Sequence, residues 1–215
     1  MSKINLFTCY FDDHPDPKRQ EELDFCLKRN VDLGVIDQII RFDKRPKYND
    51  FFYQTQNYPH DVNVFANADI FFNQTLEYAR HIKHNWCFAL TRWEHYKDQI
   101  IKFEERHLDN RHAQAKHSQD VWIFRGVVKG VYGDFYTGIP GCDNRIAAEI
   151  SRSYQLYNPC ESIQAIHVHK DHKREYNIPK GSPSKIPRPH KLVPPCMISN
   201  EGRIIRGFST QRRAI

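Results

Sequence analysis

Two side chains with oxygen ligands, Asn67 and Asp69, stand two residues apart at the end of an apolar run over residues 62–72. Every second residue from Val62 to Ile70 is apolar, so the pattern predicts one buried strand with Asn67 and Asp69 on its other face. Carboxylate and amide oxygens are ligands of Mg²⁺ and Mn²⁺, which keep coordination places for phosphate. The pattern therefore predicts a cation site that serves a phosphate ester. The alternative is a strand that ends in an Asx turn, with Asp69 in solvent.

Two histidines, His167 and His169, alternate in the run 162–169, which predicts a strand with both imidazoles on one face. An imidazole is an acceptable ligand for ions such as Mn²⁺, so the pair is a candidate for the same cation. The alternative is a pair of surface or core histidines with ordinary hydrogen bonds. The basic run 170–174 that follows favours either the neutralisation of a diphosphate or a solvated turn.

The third candidate is Asp143, which follows a glycine-bearing loop over residues 133–142. The spacing of the next apolar residues predicts a helix with Asp143 as its N-cap, where backbone N–H groups stabilise the ionised carboxylate. Such a carboxylate can accept a proton from an attacking hydroxyl group, although N-capping alone explains the residue equally well. Asp120 stands directly before the apolar run 121–124, and it can bind a sugar hydroxyl, act as the base, or serve a structural role beside Trp122.

Strands and helices alternate over the first 90 residues. The predicted strands cover residues 4–10, 35–42, 62–72 and 86–93, and the predicted helices cover residues 18–31, 50–57 and 74–83. Short strands at 121–124, 127–131 and 162–169 follow. The alternation predicts an α/β fold with a mostly parallel central sheet and helices on both faces. Ligands bind at the carboxyl ends of such strands, and residues 8–10, 43–45 and 67–69 there are polar or aromatic, as a nucleotide pocket requires.

The 215 residues suffice for one large α/β domain or two small ones. We predict one domain over residues 1–177, with a nucleotide-binding half (1–90) and an acceptor or catalytic half (91–177). Residues 178–215 are rich in proline and basic residues. This composition predicts a tail that wraps the domain or extends from it, with little helix or sheet.

The formal net charge is +6, and basic residues are concentrated between Lys170 and Arg213. This balance favours anionic partners, namely nucleotide diphosphates, nucleic acid or an acidic surface. The six cysteines include no C-x-x-C pair, which predicts reduced thiols rather than disulfides or a zinc site. No run reaches the roughly 18 apolar residues of a membrane span, and the N-terminus lacks a signal-peptide pattern. We therefore expect a soluble, cytoplasmic protein.

Three segments together resemble a known family of enzymes. They are Ala66–Ile70 (ANADI), Ser118–Phe124 (SQDVWIF) and Gly138–Ala147 (GIPGCDNRIA). The order of the landmarks is an acidic strand end, a glycine loop with an Asp at a helix start, and a histidine after a strand. In this order the chain resembles the GT-A fold glycosyltransferases, and it is similar to the small glycosyltransferases of large DNA viruses, including the chlorovirus enzymes that decorate the major capsid protein. The resemblance covers residues 3–177 and leaves out the tail.

The resemblance implies a role for each candidate at the cation site. Asp69 matches the last acid of the DxD motif and would hold Mn²⁺ or Mg²⁺ on the diphosphate. Asn67 stands where the first Asp of that motif usually is, which removes one negative charge and puts strict metal dependence in doubt. His169, or else His167, matches the C-terminal metal-binding histidine.

The resemblance also implies roles around the cation. Asp143 matches the acid that is the usual general base of inverting members, and Asp120 is the second candidate for the base. Further side chains match positions that hold the base and ribose or can contact the diphosphate. They are Thr8, Tyr10, Asp43, Lys173 and Arg174.

The expected activity is the transfer of a hexose or deoxyhexose, with inversion, from a nucleoside-diphosphate donor to a glycan or glycoprotein acceptor. A UDP-sugar is the favoured donor, and the host cytosol is the expected location if the protein is viral.

The +6 charge, the basic tail and twelve histidines support a rival function, that of a nucleic-acid-binding or metal-dependent phosphodiesterase protein. The basic residues form no single aromatic-interleaved stripe, which disfavours nucleic acid. A third candidate, a sugar-phosphate nucleotidyltransferase, needs a glycine-rich basic loop after the first strand, which is missing. The P-loop, G-x-G-x-x-G, H-E-x-x-H and G-x-S-x-G motifs are also missing.

Overall fold

A six-stranded sheet forms the centre of the molecule. The structure is a computed structural model that describes residues 2–10, 15–106, 114–169 and 179–206. Numbered in chain order, the strands of the central sheet are β1 (Ile4–Cys9), β2 (Gln38–Phe42), β3 (Val62–Ala66), β5 (Trp86–Leu90), β8 (Val121–Arg125) and β9 (Gln155–Tyr157). Their order is β2-β1-β3-β8-β5-β9, and β8 runs antiparallel to both of its neighbours while the other pairs are parallel.

Both faces of the central sheet are buried, because its strands carry apolar residues on either side. In β1, Leu6 packs into one core and its neighbour Phe7 packs into the other. Val64 and Phe65 divide in the same way in β3. Continuous apolar runs of this kind are typical of strands that are covered on both faces. The predicted α/β fold with a mostly parallel central sheet is confirmed.

Helices supply much of this cover. The α-helices are α1 (Pro17–Asp32), α2 (Tyr48–Gln54), α3 (Phe103–Arg106) and α4 (Cys142–Ile150), and the 3-10 helices are Thr55–Asn57, Gln74–His81 and Ala115–His117. Aromatic residues of α2 and aliphatic residues of α4 cover the face that contains Phe7. Leu76 and Ala79 of the second 3-10 helix pack on the opposite face.

A second sheet contains four strands. They are β4 (Ile70–Phe72), β6 (Trp93–Tyr96), β7 (Gln99–Lys102) and β10 (Ala165–Val168), in the order β4-β10-β6-β7. The prediction of one strand over residues 62–72 is wrong, because the Ile70 N–H donates to the Asn67 carbonyl at 3.1 Å and closes a turn. Asn and Asp favour such turns. The turn takes the chain from the central sheet into the second sheet, where Phe71 packs with Cys26 of α1.

Other element predictions are also wrong in detail. Residues 127–131 form a loop rather than a strand, since the Val128 N–H donates to the Thr55 hydroxyl at 3.1 Å instead of to a neighbouring strand. The predicted strand 86–93 is divided between β5 and the start of β6. The hairpin between β6 and β7, which turns at Lys97 and Asp98, was not predicted, and the predicted helix 74–83 is the 3-10 helix Gln74–His81.

The described part of the proline-rich tail, residues 179–206, packs onto the rest of the chain. Ile186 and Val193 are buried in the core beside α4, and Ile198 is buried in the opposite core. The side chain of Asn158 donates to the Val193 carbonyl at 3.0 Å. The segment contains only the two-residue strands β11 (Met197–Ile198) and β12 (Ile204–Ile205). Among the described residues, no helix has the length and apolar character that a membrane crossing needs.

The packing of this segment predicts different effects for two of its apolar residues. Ile186 is 3% exposed and its N–H donates to the Pro140 carbonyl at 2.8 Å, whereas Leu192 is 46% exposed. Ile186→Ala should lower the free energy of unfolding by about 2–5 kcal/mol because it leaves a cavity. Leu192→Ala should change it by less than about 0.5 kcal/mol. Urea unfolding followed by tryptophan fluorescence measures both, and equal effects would contradict the buried position of Ile186.

Candidate functional site

The Asn67–Asp69 turn lies at an edge where several strand ends meet. β1, β2 and β3 are adjacent and parallel, so their carboxyl ends share this edge. β8 is antiparallel to β3, and Ala66 lies opposite Val121, so the start of β8 reaches the same edge. The side-chain amide of Asn67 accordingly donates to the Asp120 carboxylate at 3.4 Å. The structure thus brings two of the predicted site residues together.

The second sheet adds His167 to this edge through its strand register. In β10, His167 lies opposite Ile70 of β4 and opposite Glu94 of β6. The Val168 N–H also donates to the carbonyl of Asp69 at 2.9 Å. These pairings hold the His167 ring between two carboxylates. Its Nε2 lies 3.2 Å from Asp69 Oδ2 and its Nδ1 lies 2.9 Å from Glu94 Oε2.

A chain of seven buried or half-buried charged side chains connects these positions. We call it the charge network, and its members in order of contact are Glu22, Arg19, Asp69, His167, Glu94, Arg92 and Asp120. Arg92 joins the last two carboxylates, at 2.6 Å from Glu94 and 2.9 Å from Asp120, and its side chain is 4% exposed. The network runs from α1 to both sheets. Each charged side chain is held in place by the opposite charge of its neighbour in the network.

Arg19 reaches Asp69 from the buried face of α1. It precedes Leu23 and Cys26 by one and two turns, so helical spacing places it over the second sheet. Its Nη2 donates to Asp69 Oδ2 at 2.5 Å, and its Nη1 donates to Glu22 at 2.6 Å. The same Nη1 lies 3.1 Å from His169 Nδ1. Arg19 therefore contacts two of the residues that were predicted to hold a metal ion, Asp69 and His169.

The network sets the ionisation of its carboxyl groups. Burial alone would raise the pKa of Asp69, but the charges and hydrogen bonds of His167 and Arg19 hold that pKa well below its usual range. Burial opposes ionisation of Glu94 too, yet the hydrogen bond from His167 and the charge of Arg92 lower its pKa to about 2. Both carboxyl groups are therefore ionised at neutral pH. The alternative that places Asp69 in solvent is wrong, because its side chain is only 14% exposed.

The contacts of His167 favour a protonated imidazole. Burial would lower the pKa of its imidazole, but the nearby Asp69 carboxylate raises it, and the net shift is upward. Each ring nitrogen faces a carboxylate oxygen, so a doubly protonated ring satisfies both contacts. Both ring nitrogens therefore contact carboxylate oxygens in this structure.

His169 is held in one tautomer by Arg19. A guanidinium group only donates hydrogen bonds, so His169 Nδ1 must accept and a neutral ring carries its proton on Nε2. His169 Nε2 and Asp69 Oδ1 are both buried and have no hydrogen-bond partner among the described residues. Buried polar atoms without partners are rare and point to a missing ligand. One donor and one acceptor are thus left for a bound molecule.

The donor types at this edge suit Mn²⁺ or Mg²⁺, since they include a carboxylate, an amide and an imidazole. In the part of the chain that the structure describes, however, no three His, Cys, Asp or Glu residues are placed to hold a metal ion together. Asp69 Oδ1 is available as a ligand, whereas His169 Nε2 can become one only if Arg19 releases Nδ1. The residues therefore fit a cation once the Arg19 contacts are broken.

Asp143 lies in the first turn of α4, but it is not the N-cap. Gly141 holds that position with a φ of 85°, a left-handed conformation that glycine adopts readily, and the helix begins at Cys142. The predicted capping role is therefore wrong by two residues. The Cys142 thiol donates to Asp143 Oδ1 at 3.2 Å. Burial raises the pKa of the neighbouring Tyr48 hydroxyl, and the negative charges of Asp143 and Asp120 raise it further. Both carboxylates therefore lie close enough to the Tyr48 hydroxyl to affect its ionisation.

The predicted nucleotide-binding residues occupy the ends of β1 and β2. Thr8 is 6% exposed within β1, Tyr10 follows that strand, and Asp43 is exposed beyond the end of β2. The Arg41 guanidinium lies 5.6 Å from the centre of the Tyr10 ring. Lys173 and Arg174 lie outside the described residues.

Arg45 is an additional candidate near these strand ends. Burial raises the pKa of the Cys9 thiol to about 11, while the charge of Arg45 lowers it and that of Asp43 raises it, so both charges lie close to Cys9. Arg45 Nη1 is buried without a hydrogen-bond partner among the described residues. A side chain on Gly138 would lie 3.7 Å from the Arg45 guanidinium. Arg45 therefore extends from the strand ends to the glycine loop.

No motif in the sequence singles out Arg19, Glu22, Arg92, Glu94 or Arg45 as a site residue. Two of these residues carried a signal, since Arg19 and Glu22 share the helical face of Leu23 and Cys26, and charges within an apolar face are rarely buried without a partner. Arg92 follows β5 and Glu94 lies in β6, but their further partners Asp120 and His167 are distant in sequence. Pairings of that kind depend on the strand register, which one sequence does not reveal.

A cavity of about 410 Å³ lies between the glycine loop, α4 and the tail. Its lining includes aromatic rings (Tyr132, Phe135, Tyr136) and cationic groups (Lys47, Arg145, Lys180). Lys47 is paired with Asp134 at 2.7 Å, and Arg145 with Glu149 at 2.8 Å. The cavity offers flat apolar surfaces beside positive charge, a combination suited to a polar ligand with apolar faces.

Comparisons of the chain with protein-family models, with curated proteins and with solved structures find no match.

The charge network predicts a pH-dependent effect of Glu94→Gln. The folded-state pKa of Glu94 is lowered from 4.5 to about 2, so its contribution to stability is present above pH 4.5 and is lost as the pH falls towards 2. Gln cannot ionise, so the difference in unfolding free energy between wild type and variant should shrink on acidification through this window. Urea unfolding at a series of pH values measures that difference.

The matched control is Glu77→Gln, because the Glu77 carboxylate pairs with Arg80 at 2.6 Å but is 44% exposed. Exposed ion pairs contribute little, so its effect should stay below about 1 kcal/mol at every pH. A difference for Glu94→Gln that stays constant or grows on acidification would contradict the assigned network.

Proposed function

We propose that this chain is a glycosyltransferase of the GT-A type, which transfers a sugar from a nucleoside-diphosphate donor, with UDP-sugar favoured, to a glycan or glycoprotein acceptor. The observation that carries the proposal is the convergence of the Asn67–Asp69 turn, Asp120, His167 and His169 at the carboxyl edge of three parallel strands. These are the landmarks of that fold, and they come from both sheets.

The ends of β1 and β2 support a nucleotide site. Tyr10 offers an aromatic ring at a strand end, and Asp43 offers an exposed carboxylate that can accept from ribose hydroxyls. Arg45 has a buried N–H without a partner among the described residues, pointing to an anionic or carbonyl group of a ligand. In this proposal the base and ribose lie over these residues, and the diphosphate extends towards Asp69.

Charge that builds on the departing diphosphate has to be stabilised at the Asp69 turn. Mn²⁺ or Mg²⁺ would supply this stabilisation, held by Asp69 and His169 with the remaining places filled by phosphate oxygens and water. If no metal ion is bound, the buried His169 Nε2–H can instead donate to a phosphate oxygen. The Arg19 guanidinium group contacts Asp69 directly, and guanidinium binds phosphate by paired hydrogen bonds.

Asp143 is the preferred general base. It is half-buried in the first turn of α4, where the helix dipole favours a negative charge. It can therefore accept the proton of an acceptor hydroxyl that attacks the anomeric carbon from the side opposite the diphosphate. Asp120 is the second candidate, but Arg92 and Ser118 already bind its carboxylate at 2.9 and 3.2 Å. We therefore assign Asp120 to positioning the Asn67 turn.

The cavity beside the glycine loop supports an acceptor site. Ile139 and Arg145, which flank Asp143 in the chain, contribute to its lining, and in this proposal the acceptor binds there. The ring of Tyr132 is 54% exposed and can pack against the apolar face of a sugar.

A thermal-shift panel of UDP, GDP, CDP and dTDP, each with and without Mn²⁺, tests the donor site. A ligand at a hundred times its dissociation constant stabilises the folded state by about 2.7 kcal/mol, which is easily measured. We expect stabilisation by one diphosphate and a smaller effect for Asp69→Ala. If no nucleotide stabilises the protein and duplex nucleic acid binds with strong salt dependence, the rival nucleic-acid function replaces this proposal.

Two matched substitutions test the choice of base. Asp143→Asn should preserve donor binding and reduce the transfer rate by about 10²–10⁴-fold, because an amide cannot accept the proton. Asp120→Asn should reduce transfer less, because it only loosens contacts to Arg92 and Asn67. Single-turnover transfer with a radiolabelled donor measures both rates. Transfer that survives Asp143→Asn and disappears in Asp120→Asn would reverse the assignment.

A further inference from the structure

Arg19 occupies the atoms that a divalent cation at Asp69 would need. Its guanidinium group lies 2.5 Å from Asp69 Oδ2 and 3.1 Å from His169 Nδ1. A cation bound to the same carboxylate would lie next to this positive charge, and like charges at such a distance repel strongly in a poorly solvated site. The guanidinium group and a divalent cation therefore compete for Asp69.

The tautomer of His169 that Arg19 selects also prevents this ring from binding a metal ion. While Nδ1 accepts from Arg19, a neutral ring carries its proton on Nε2 and has no lone pair left for a metal ion. Coordination through Nε2 requires the proton to move to Nδ1, which would then point an N–H at the guanidinium donor. The imidazole can thus serve as a ligand only after Arg19 has moved.

The charges of the network favour a cation once Arg19 is gone. Two guanidinium groups (Arg19, Arg92) and His167 face four carboxylates (Glu22, Asp69, Glu94, Asp120), so the carboxylates outnumber their cationic partners. Loss of Arg19 would remove one positive charge, namely the guanidinium group that Glu22 and Asp69 share. Buried carboxylates of this kind either bind a cation or destabilise the fold.

We propose that Arg19 is a built-in counter-ion that occupies the cation site of the resting protein, and that a divalent cation enters only when this guanidinium group leaves Asp69. Arg19 lies in the first turn of α1 and is 24% exposed, so its side chain can swing towards solvent without unfolding the helix. The part of this proposal that concerns substrate rests on the proposed function. A diphosphate offers the guanidinium group a second anionic partner, so cation and diphosphate should bind cooperatively.

Binding of Mn²⁺ alone, measured by electron paramagnetic resonance without nucleotide, tests the competition directly. We expect weak binding to wild type and binding tighter by about tenfold or more in Arg19→Gln, within the usual range for coupled sites. Lys28→Gln is the matched control, because Lys28 on the same helix pairs with Asp32 at 2.8 Å but is 77% exposed. This control should bind Mn²⁺ like wild type.

Arg19→Lys keeps the test decisive if Arg19→Gln does not fold. A lysine ammonium retains the charge but cannot contact Asp69 and His169 in the same forked geometry. His169 Nδ1 is then released, so Arg19→Lys should bind Mn²⁺ more tightly than wild type and less tightly than Arg19→Gln. In addition, Mn²⁺ should raise the melting temperature of Arg19→Gln more than that of wild type, since it replaces a missing charge. Equal or weaker Mn²⁺ binding in both Arg19 variants would overturn the proposal.

The Mn²⁺ measurements on the Arg19 variants and the nucleotide measurements test the two proposals separately. If UDP stabilises the protein while the Arg19 variants gain no Mn²⁺ affinity, the counter-ion role is wrong and the transferase proposal stands. If the variants gain Mn²⁺ affinity while no nucleotide binds, the competition is real and the donor assignment is wrong. Wild-type binding of Mn²⁺ that is unaffected by UDP would overturn the cooperative part alone.

Discussion

A single buried carboxylate, Asp69, is the interaction on which the arrangement of the site depends. Its charge has little access to solvent, and the free energy of burying it is offset by Arg19 on one side and His167 on the other. These partners belong to helix α1 and strand β10, which are far apart in sequence. The same contacts therefore join the helix, the second sheet and the end of β3.

The two halves of the charge network differ in solvent exposure, and this difference suits a site that must be rigid and still bind a ligand. Arg92 holds Glu94 and Asp120 from a side chain that is 4% exposed, so the half of the network near β6 and β8 is structurally fixed. The half near Arg19 is more exposed and includes the buried atoms without partners, Asp69 Oδ1 and His169 Nε2. Rigid groups on one side and exchangeable contacts on the other are what a site for a charged ligand needs.

Local patterns in the sequence were sufficient for much of the fold. The apolar runs of β1 and β3, and Pro17 at the start of α1, predicted elements that the structure contains. The division of residues 62–72 between two sheets was missed, because Ala68 and Asp69 continue the period-2 pattern through a turn. Candidate residues Asn67, Asp69, Asp120 and His167 lie close together in the structure, because they stand at or near strand ends that share one edge. Their partners Arg19, Arg92 and Glu94 were missed, because only the tertiary register makes them neighbours.

The ring protonation of the two histidines tests the central claim most directly, because it reports on the contacts of Arg19 and Asp69 without any ligand. A long-range ¹H–¹⁵N correlation spectrum at pH 6.5, the ordinary pKa of histidine, distinguishes the possible states. The contacts of Arg19 predict a His169 whose neutral form carries its proton on Nε2, and the two carboxylates beside His167 favour a ring that is protonated on both nitrogens. A neutral His169 with its proton on Nδ1 and a free Nε2 would contradict the proposed role of Arg19 as the counter-ion of Asp69.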